Sequence, residues 1–380
     1  MSSPRKGRKK SVAASSAASS SSGNVTPSIS SGTPTREPRK SFLGDFFRFT
    51  RSFARAVVAS PSTSSGAESE SIYFPTDLQE IHYSDLTYFQ DYIFKNNVLV
   101  PYVKSLLKNS KRLTENHLLR QGDEIVFLSD KEFMLIGSIF VVLKYGGRYD
   151  VAVFTNEERG INNIYAGLMV SSRIRYNKTV FKDVYETFYT TVKRVIQEKK
   201  LRIDHETISQ VYVMEQEKAL KLKNKIPEDK EILTIKDIHA EMVNASWSHK
   251  YPGSLQYIQS LIRMNGGYVL VPKGPEGTAL SWGLKSVMGQ IGIVETMPDY
   301  RREGYGSIIV KHLAREIAEE GNDVVVIFRV TNECIQRLVE KIGFRKVGSC
   351  YDIEVSDPAS QPQSIPQKQP RLAASTSSLS

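Results

Sequence analysis

The sequence predicts an α+β protein of the α/β three-layer type, with helices covering a sheet. Three observations predict it. Residues 232–356 alternate helical and strand-like runs. Within them a strand-like run, Gln290 to Val294, passes through a glycine turn into a helical run with Ile309, Leu313 and Ile317 four apart. Ahead of them, residues 71–226 carry their own strands and helices. A chain of 380 residues has room for two such domains.

The net charge of +10 first reads as a nucleic-acid signal, but its location removes that reading. Residues 1–66 hold 11 Lys or Arg against 2 Asp or Glu, and residues 67–356 balance at 38 of each. A neutral body argues against a basic groove for DNA or RNA. Two cysteines, Cys334 and Cys350, make no disulfide framework and fit a reducing, intracellular compartment, mitochondrial or cytoplasmic, with the nucleus open. The histidines show no metal-ligand spacing. The longest apolar run, Phe133 to Leu143, is 11 residues and too short to span a bilayer.

Residues 1–70 read as a disordered, Ser-rich basic tail, because they cannot bury enough apolar surface to offset ordering. Its cluster from Pro4 to Lys10 reads either as an import signal or as a solvated basic tail. Segment 41–59 differs: Phe42, Phe46, Phe49 and Phe53 recur at helical spacing among arginines. It reads as a membrane-surface helix, a presequence, or a helix docked on the protein's own body. Residues 357–380, rich in Pro, Gln and Ser, read as a second disordered tail.

In the domain at 71–226, Asp85 to Lys108 has helical spacing broken by Pro101. Strands follow at Glu124 to Leu128, Phe133 to Lys144 and Tyr149 to Thr155, the last two joined by a hairpin at Gly146-Gly147. Val180 to Gln197 and Val211 to Lys225 read as helices. His82, His117 and His205 are scattered and read as structural or surface residues. Residues 227–231 read as the linker, opened by Pro227.

In the domain at 232–356, Thr234 to Asn244 and Ser254 to Met264 read as helices, the second with Ser254 as N-cap. Strands are predicted at Tyr268 to Pro272, Ala279 to Lys285 and Gln290 to Glu295, with a glycine turn at Lys273 to Gly277. After Pro298, the turn Arg301-Arg302-Glu303-Gly304-Tyr305-Gly306 opens a helix ended by Gly321. Val324 to Val330 is near-continuously apolar, as expected of a strand buried on both faces. Asn332 to Ile342 is a helix stopped by Gly343, and Arg345 to Val355 is the last strand. Strand, glycine turn and helix point free N–H groups at an anion, and Arg301 and Arg302 add charge beside them.

That turn, with arginine ahead of Gly-x-Gly, resembles the coenzyme A pyrophosphate loop of the GNAT acyl-CoA N-acyltransferase superfamily. The match is closer to its glycine N-acyltransferase-like family. It is carried by His239-Ala240, Val243-Asn244 and Trp247, then by Gly274 to Thr278 followed by Ser281-Trp282. Thr296-x-Pro298-x-x-Arg301, and Asn332-Glu333 ahead of Gly343-Phe344, complete it. The resemblance implies a GNAT fold at the C-terminus behind a degenerate GNAT-like α+β domain. It implies acyl transfer from acyl-CoA to an amine, glycine or another small amine, without a metal.

The resemblance also assigns site residues. Backbone at Glu295, Thr296 and Met297 would serve the pantetheine arm, together with Asn332. Arg301, Arg302, Glu303, Gly304, Tyr305, Gly306 and Ser307 would hold the pyrophosphate. The family's glutamate base falls on Gln290, which cannot accept a proton. Glu295 is the nearby carboxylate, and a bulge would be needed to bring it onto the face of Gln290. The acid tyrosine of many superfamily members falls on Val339. Three readings follow: an active N-acyltransferase, an acyl-CoA-binding relative with weakened catalysis, and an adaptor that works through its tail.

Overall fold

A computed structural model of the chain describes residues 72–94, 100–274 and 278–360. The tail readings for 1–70, for segment 41–59 and for residues beyond 360 lie outside the described residues, as does the tip of the turn at 275–277.

The strands are β1 (Gln79–Glu80), β2 (Glu124–Ser129), β3 (Ile139–Tyr145), β4 (Arg148–Phe154), β5 (Thr179–Tyr185) and β6 (Arg202–Met214). They continue as β7 (Lys230–Thr234), β8 (Gly267–Pro272), β9 (Ser281–Lys285), β10 (Ile291–Thr296), β11 (Val324–Arg329) and β12 (Arg345–Ser356). The longer helices are α1 (Val103–Glu115), α2 (Ile161–Val170), α3 (Glu186–Glu198), α4 (Ala240–Ser246), α5 (Ser254–Asn265), α6 (Tyr305–Glu319) and α7 (Glu333–Ile342). All twelve strands form one sheet, in the order β1-β2-β3-β4-β5-β12-β6-β11-β10-β9-β8-β7.

That order reads the same from either end when each strand of residues 72–214 is matched to its counterpart in 230–356. Both halves begin with antiparallel neighbours. Each then makes one parallel pair, β4 with β5 and β10 with β11, joined by the crossover helices α2 and α6. The last strands are exchanged. β6, from the first half, lies against β11 of the second, and β12 lies against β5 of the first. The two exchanged strands pair with each other at the centre. The sheet is therefore continuous across the expected linker at 227–231, whose last two residues already belong to β7.

Local sequence explains most elements. Gly146 and Gly147 both take positive φ, and the β3–β4 hairpin closes with Tyr145 opposite Arg148. In α6, Ile309, Leu313 and Ile317 are all buried, packing with Val324 and Val326 of β11 and with Val339 of α7. Gly283 of β9 lets α6 approach closely: a Cβ there would stand 2.7 Å from Ile309. Val339 is a core residue.

Several expectations are corrected. Thr234 ends strand β7, and the helix read from it begins only at Ala240. Phe133 to Leu135 is helical ahead of β3, and two further helix readings give way to strands. Val180 to Tyr185 belongs to strand β5, and the helix begins only at Glu186. The β-branched and aromatic residues before it pair with β12, and Glu186 suits the positive end of a helix. Val211 to Met214 ends strand β6, leaving only Gln216–Leu220 helical. The Val211-Tyr212-Val213 run is flanked by β11 and β12 on its two edges, so tertiary pairing decides its state.

Candidate active site

β10 and β11 share a single register pair, Ile291 with Val326. Beyond it β10 carries a bulge against β9, its register shifting between Gly292 and Glu295. Ile293 and Val294 therefore have no register partner on β9 or on β11. Ile293 takes φ of 45°, a conformation costing a β-branched residue on the order of 1–3 kcal/mol. The result is a short stretch of partly buried strand whose peptide groups can pair with a ligand. The extra residue also restores the alternation: Gly292 and Glu295 stand opposite Leu284 and Trp282 on β9. Gln290, Gly292 and Glu295 all line a cavity of about 900 Å³ between the two halves.

Past β10, a single 3-10 turn at Pro298–Tyr300 leads to Arg301, and Arg302 and Gly304 both take left-handed φ, 75° and 82°. Gly304 is the N-cap of α6, and bonds within the helix begin with the Ser307 and Ile308 N–H groups on the Gly304 carbonyl. The N–H groups of Tyr305 and Gly306 precede these and have no intrahelical acceptor. A Cβ on Gly304 would meet nothing within 4 Å, and one on Gly306 only Thr296 Oγ1, at 3.4 Å. This is an open cradle of backbone donors at the positive end of a 15-residue helix. Arg301, Arg302 and Glu303 are exposed around it. Arg301 donates to the Thr296 carbonyl at 3.2 Å and pairs with Glu295 at 3.1 Å. The Met297 N–H and carbonyl are both engaged, by Leu280 and Tyr300, so its backbone is less open to a ligand than that of Ile293 and Val294. Asn332 Oδ1 caps α7 through the Ile335 N–H at 3.2 Å, so its NH2 is what it can offer the cavity it lines.

Gln290 is buried, and its amide is held at both ends. Its Oε1 accepts from Ser286 Oγ, and its Nε2 donates to Asp183 Oδ2 at 3.0 Å. Asp183 comes from β5 of the first half, where no chemistry was expected. It is 6% exposed, takes φ of 48°, and pairs through Oδ1 with Lys182 at 3.1 Å. Lys182 also reaches Asp352 of β12 at 2.7 Å, and Asp352 accepts from the Asp183 N–H at 2.8 Å. Burial, and then the charge of Asp352, push the Asp183 carboxyl up to about 6 against the pull of Lys182. Burial also works against the charge of Asp352, but Lys182 and the Asp183 N–H outweigh it and hold its carboxyl below the usual range.

The opposite wall is aromatic. Trp247 stacks on Tyr257 with ring centres 5.8 Å apart, and the Arg148 guanidinium lies 5.5 Å from Tyr257 and 5.6 Å from Tyr251. Burial disfavours the Arg148 charge, yet Asp150 at 3.2 Å more than compensates and raises its pKa above the ordinary value. Trp282 lines the same cavity, fully buried, and its indole N–H has no partner among the described residues. The structure thus brings Gln290, Glu295 and Asn332 onto one cavity and leaves the cradle at 301–307 beyond its lining. Sequence reasoning missed the first half's share: Arg148, Asp150, Lys182 and Asp183. A usable signal was the charged pair Lys182-Asp183 inside an otherwise apolar, β-forming run. Among the described residues no cluster of His, Cys, Asp or Glu could hold a metal ion, and no helix is long and apolar enough to cross a membrane.

Residues 270–353 match the FR47-like protein family. The chain is 26% identical over 187 residues to a mouse glycine N-acyltransferase-like protein, a match covering 48% of this chain and 57% of that one. It is 25% identical over 201 residues to a bovine glycine N-phenylacetyltransferase, covering 47% and 66%. The chain thus spans less than two thirds of either relative. A solved structure of a Drosophila protein superposes with a TM-score of 0.66 at 20% identity, covering 74% of this chain and 99% of that one. The fold is α+β of the GNAT acyltransferase type, and the chain is similar in sequence to glycine N-acyltransferases.

Proposed function

We propose that the protein is an acyl-CoA-dependent N-acyltransferase that moves an acyl group from coenzyme A to a small amine. One observation carries the reading: strand β10 leaves β11 at a bulge, runs along a cavity, and ends in an open glycine cradle at the start of α6. An extended pantetheine arm would pair with the peptide groups of Ile293 and Val294, as an added strand would. The diphosphate would rest on the N–H groups of Tyr305 and Gly306 at the Gly304 turn, with Arg301 and Arg302 beside it. The thioester carbonyl would then face the cavity, where the amine arrives. Attack forms the C–N bond and a tetrahedral oxyanion, for which a backbone N–H of β10 is the nearest class of donor. Collapse breaks the C–S bond and releases the thiol. Glycine is the acceptor in the names of the two mammalian relatives, and it heads the panel of acceptors to be tried.

The second reading is an acyl-CoA-binding relative with weakened catalysis, favoured by Gln290 at the base position. Thiol release from a panel of acyl-CoAs, with glycine and other small amines, separates the two. Turnover with formation of the amide is expected. Stabilisation by coenzyme A without turnover would leave the binding reading, and no stabilisation at all would sink both.

A further inference from the structure

We propose that Asp183, a residue of the first half, is the general base that Gln290 cannot be. The inference rests on the acyltransferase reading above. A base must reach the nucleophile or a water bound to it. Asp183 lines the cavity and holds Gln290 Nε2 at 3.0 Å, so its Oδ2 is one hydrogen bond from the position where the related enzymes' carboxylate is expected. Gln290 is turned to serve this arrangement. Ser286 Oγ occupies its oxygen, which directs its NH2 at Asp183 and lets the amide act as a positioning residue. The Asp183 backbone is fixed in its left-handed conformation by the Tyr102 hydroxyl on its carbonyl and by Asp352 on its N–H.

The charged and titratable groups around Asp183 come from every neighbouring element. Lys182 is on its own strand. Asp352 and Cys350 come from β12, with Cys350 Sγ 4.0 Å from Asp183 Oδ1, and Tyr102 precedes α1. Burial pushes both the Cys350 thiol and the Tyr102 hydroxyl up, so neither competes for the proton near neutrality. Asp352, held below the usual range, is the weaker base of the carboxylate pair. Asp183, at about 6, is ionised at neutral pH and still basic enough to take a proton.

The step balances as follows. Asp183 takes one proton from the substrate ammonium, directly or through one water, and returns it to solvent. The neutral amine forms the C–N bond. The proton that nitrogen then loses passes by way of Asp183 to the thiolate released as the C–S bond breaks. One amide, one thiol and one proton result.

The test is the pH profile of kcat/KM for acyl transfer by the full chain, with Asp183→Asn, Asp183→Glu and the pair Asp183→Asn with Gln290→Glu. Wild type should lose activity about tenfold per pH unit below the titration of the base. Asp183→Asn should lower kcat by roughly 10²–10⁴-fold, abolish that limb, and keep the stabilisation by coenzyme A. Adding Gln290→Glu should restore part of the rate, because a carboxylate again faces the amine. Asp183→Glu should shift the limb, which keeps the proposal testable if the Asn variant fails to fold. A wild-type profile flat through the acid range overturns the proposal without any variant. So does an Asp183→Asn variant within threefold of wild type, or a limb removed by His249→Gln instead, since His249 also lines the cavity. Absence of turnover by wild type on every substrate would sink the acyltransferase reading itself, a failure distinguishable from the others.

Discussion

The two halves of the molecule present the same junction twice, one open and one filled. In the second half β10 and β11 meet at one residue pair and part, and the turn into α6 leaves Gly304 facing empty space. In the first half β4 and β5 stay paired at Asp150 with Val180 and at Val151 with Phe181. The turn into α2 is Thr155 to Gly160, with Glu157 and Glu158 where the second half has Arg301 and Arg302. A Cβ on Gly160 would lie 1.9 Å from Thr155 Oγ1, so that cradle is full. The ion pairs differ in the same sense. On β4 the half-buried Arg148 pairs with a fully buried Asp150, whereas at the end of β10 an exposed Arg301 pairs with a half-buried Glu295. One copy of the fold keeps an open cradle of backbone donors. The other has closed its own and supplies walls, charges and a strand to its neighbour.

The comparison can be broken at three levels. The largest effect is expected from separating the halves. Residues 228–360 expressed alone lack β6, which lines the edges of both β11 and β12. They should aggregate or melt without cooperativity, and coexpression with residues 72–227 should rescue them; a cooperative, monomeric melt of the fragment would mean the exchange is dispensable. Next is the contrast between the ion pairs. Arg148→Met strands the buried Asp150 and should cost about 3–5 kcal/mol in urea unfolding. Arg301→Met should cost less than about 1 kcal/mol while weakening coenzyme A binding. Equal costs would erase the distinction between a structural and a ligand-facing half. The smallest effect is on ligand linkage. At a hundredfold excess over Kd, coenzyme A should stabilise wild type by about 2.7 kcal/mol. Gly304→Glu should abolish that shift by placing a carboxylate in the cradle, and Glu158→Gln in the first half should leave it unchanged. A shift altered by the second substitution and not the first would reverse the assignment.

The second half was largely legible from local signals. Strand β11 is apolar up to its last residue, Arg329, α6 repeats its buried residues every fourth position, and Asn332 and Gly343 bracket α7 as cap and stop. The bulge in β10 was recognised as a requirement for Glu295, and the backbone supplies it at Ile293, which no propensity would choose. What stayed hidden lies in the exchange. β6 is polar along much of its length and is a strand because β11 and β12 flank it, a fact of pairing at long range. Asp183 was hidden for the same reason. It lies inside the run Val180 to Gln197, which reads as a helix. Only the closing of β12 against β5 buries it beside Gln290, 107 residues away.

The exchanged strands also set the order in which this protein can be born. β12 completes the first half, yet its partner β5 leaves the ribosome about 170 residues earlier. During synthesis the first half must wait with an open strand edge until the last strand of the sheet emerges. Neither half can act as a finished template for the other. Folding is therefore expected to be slow, governed by distant contacts, and dependent on holdase chaperones that shield β5 in the interval.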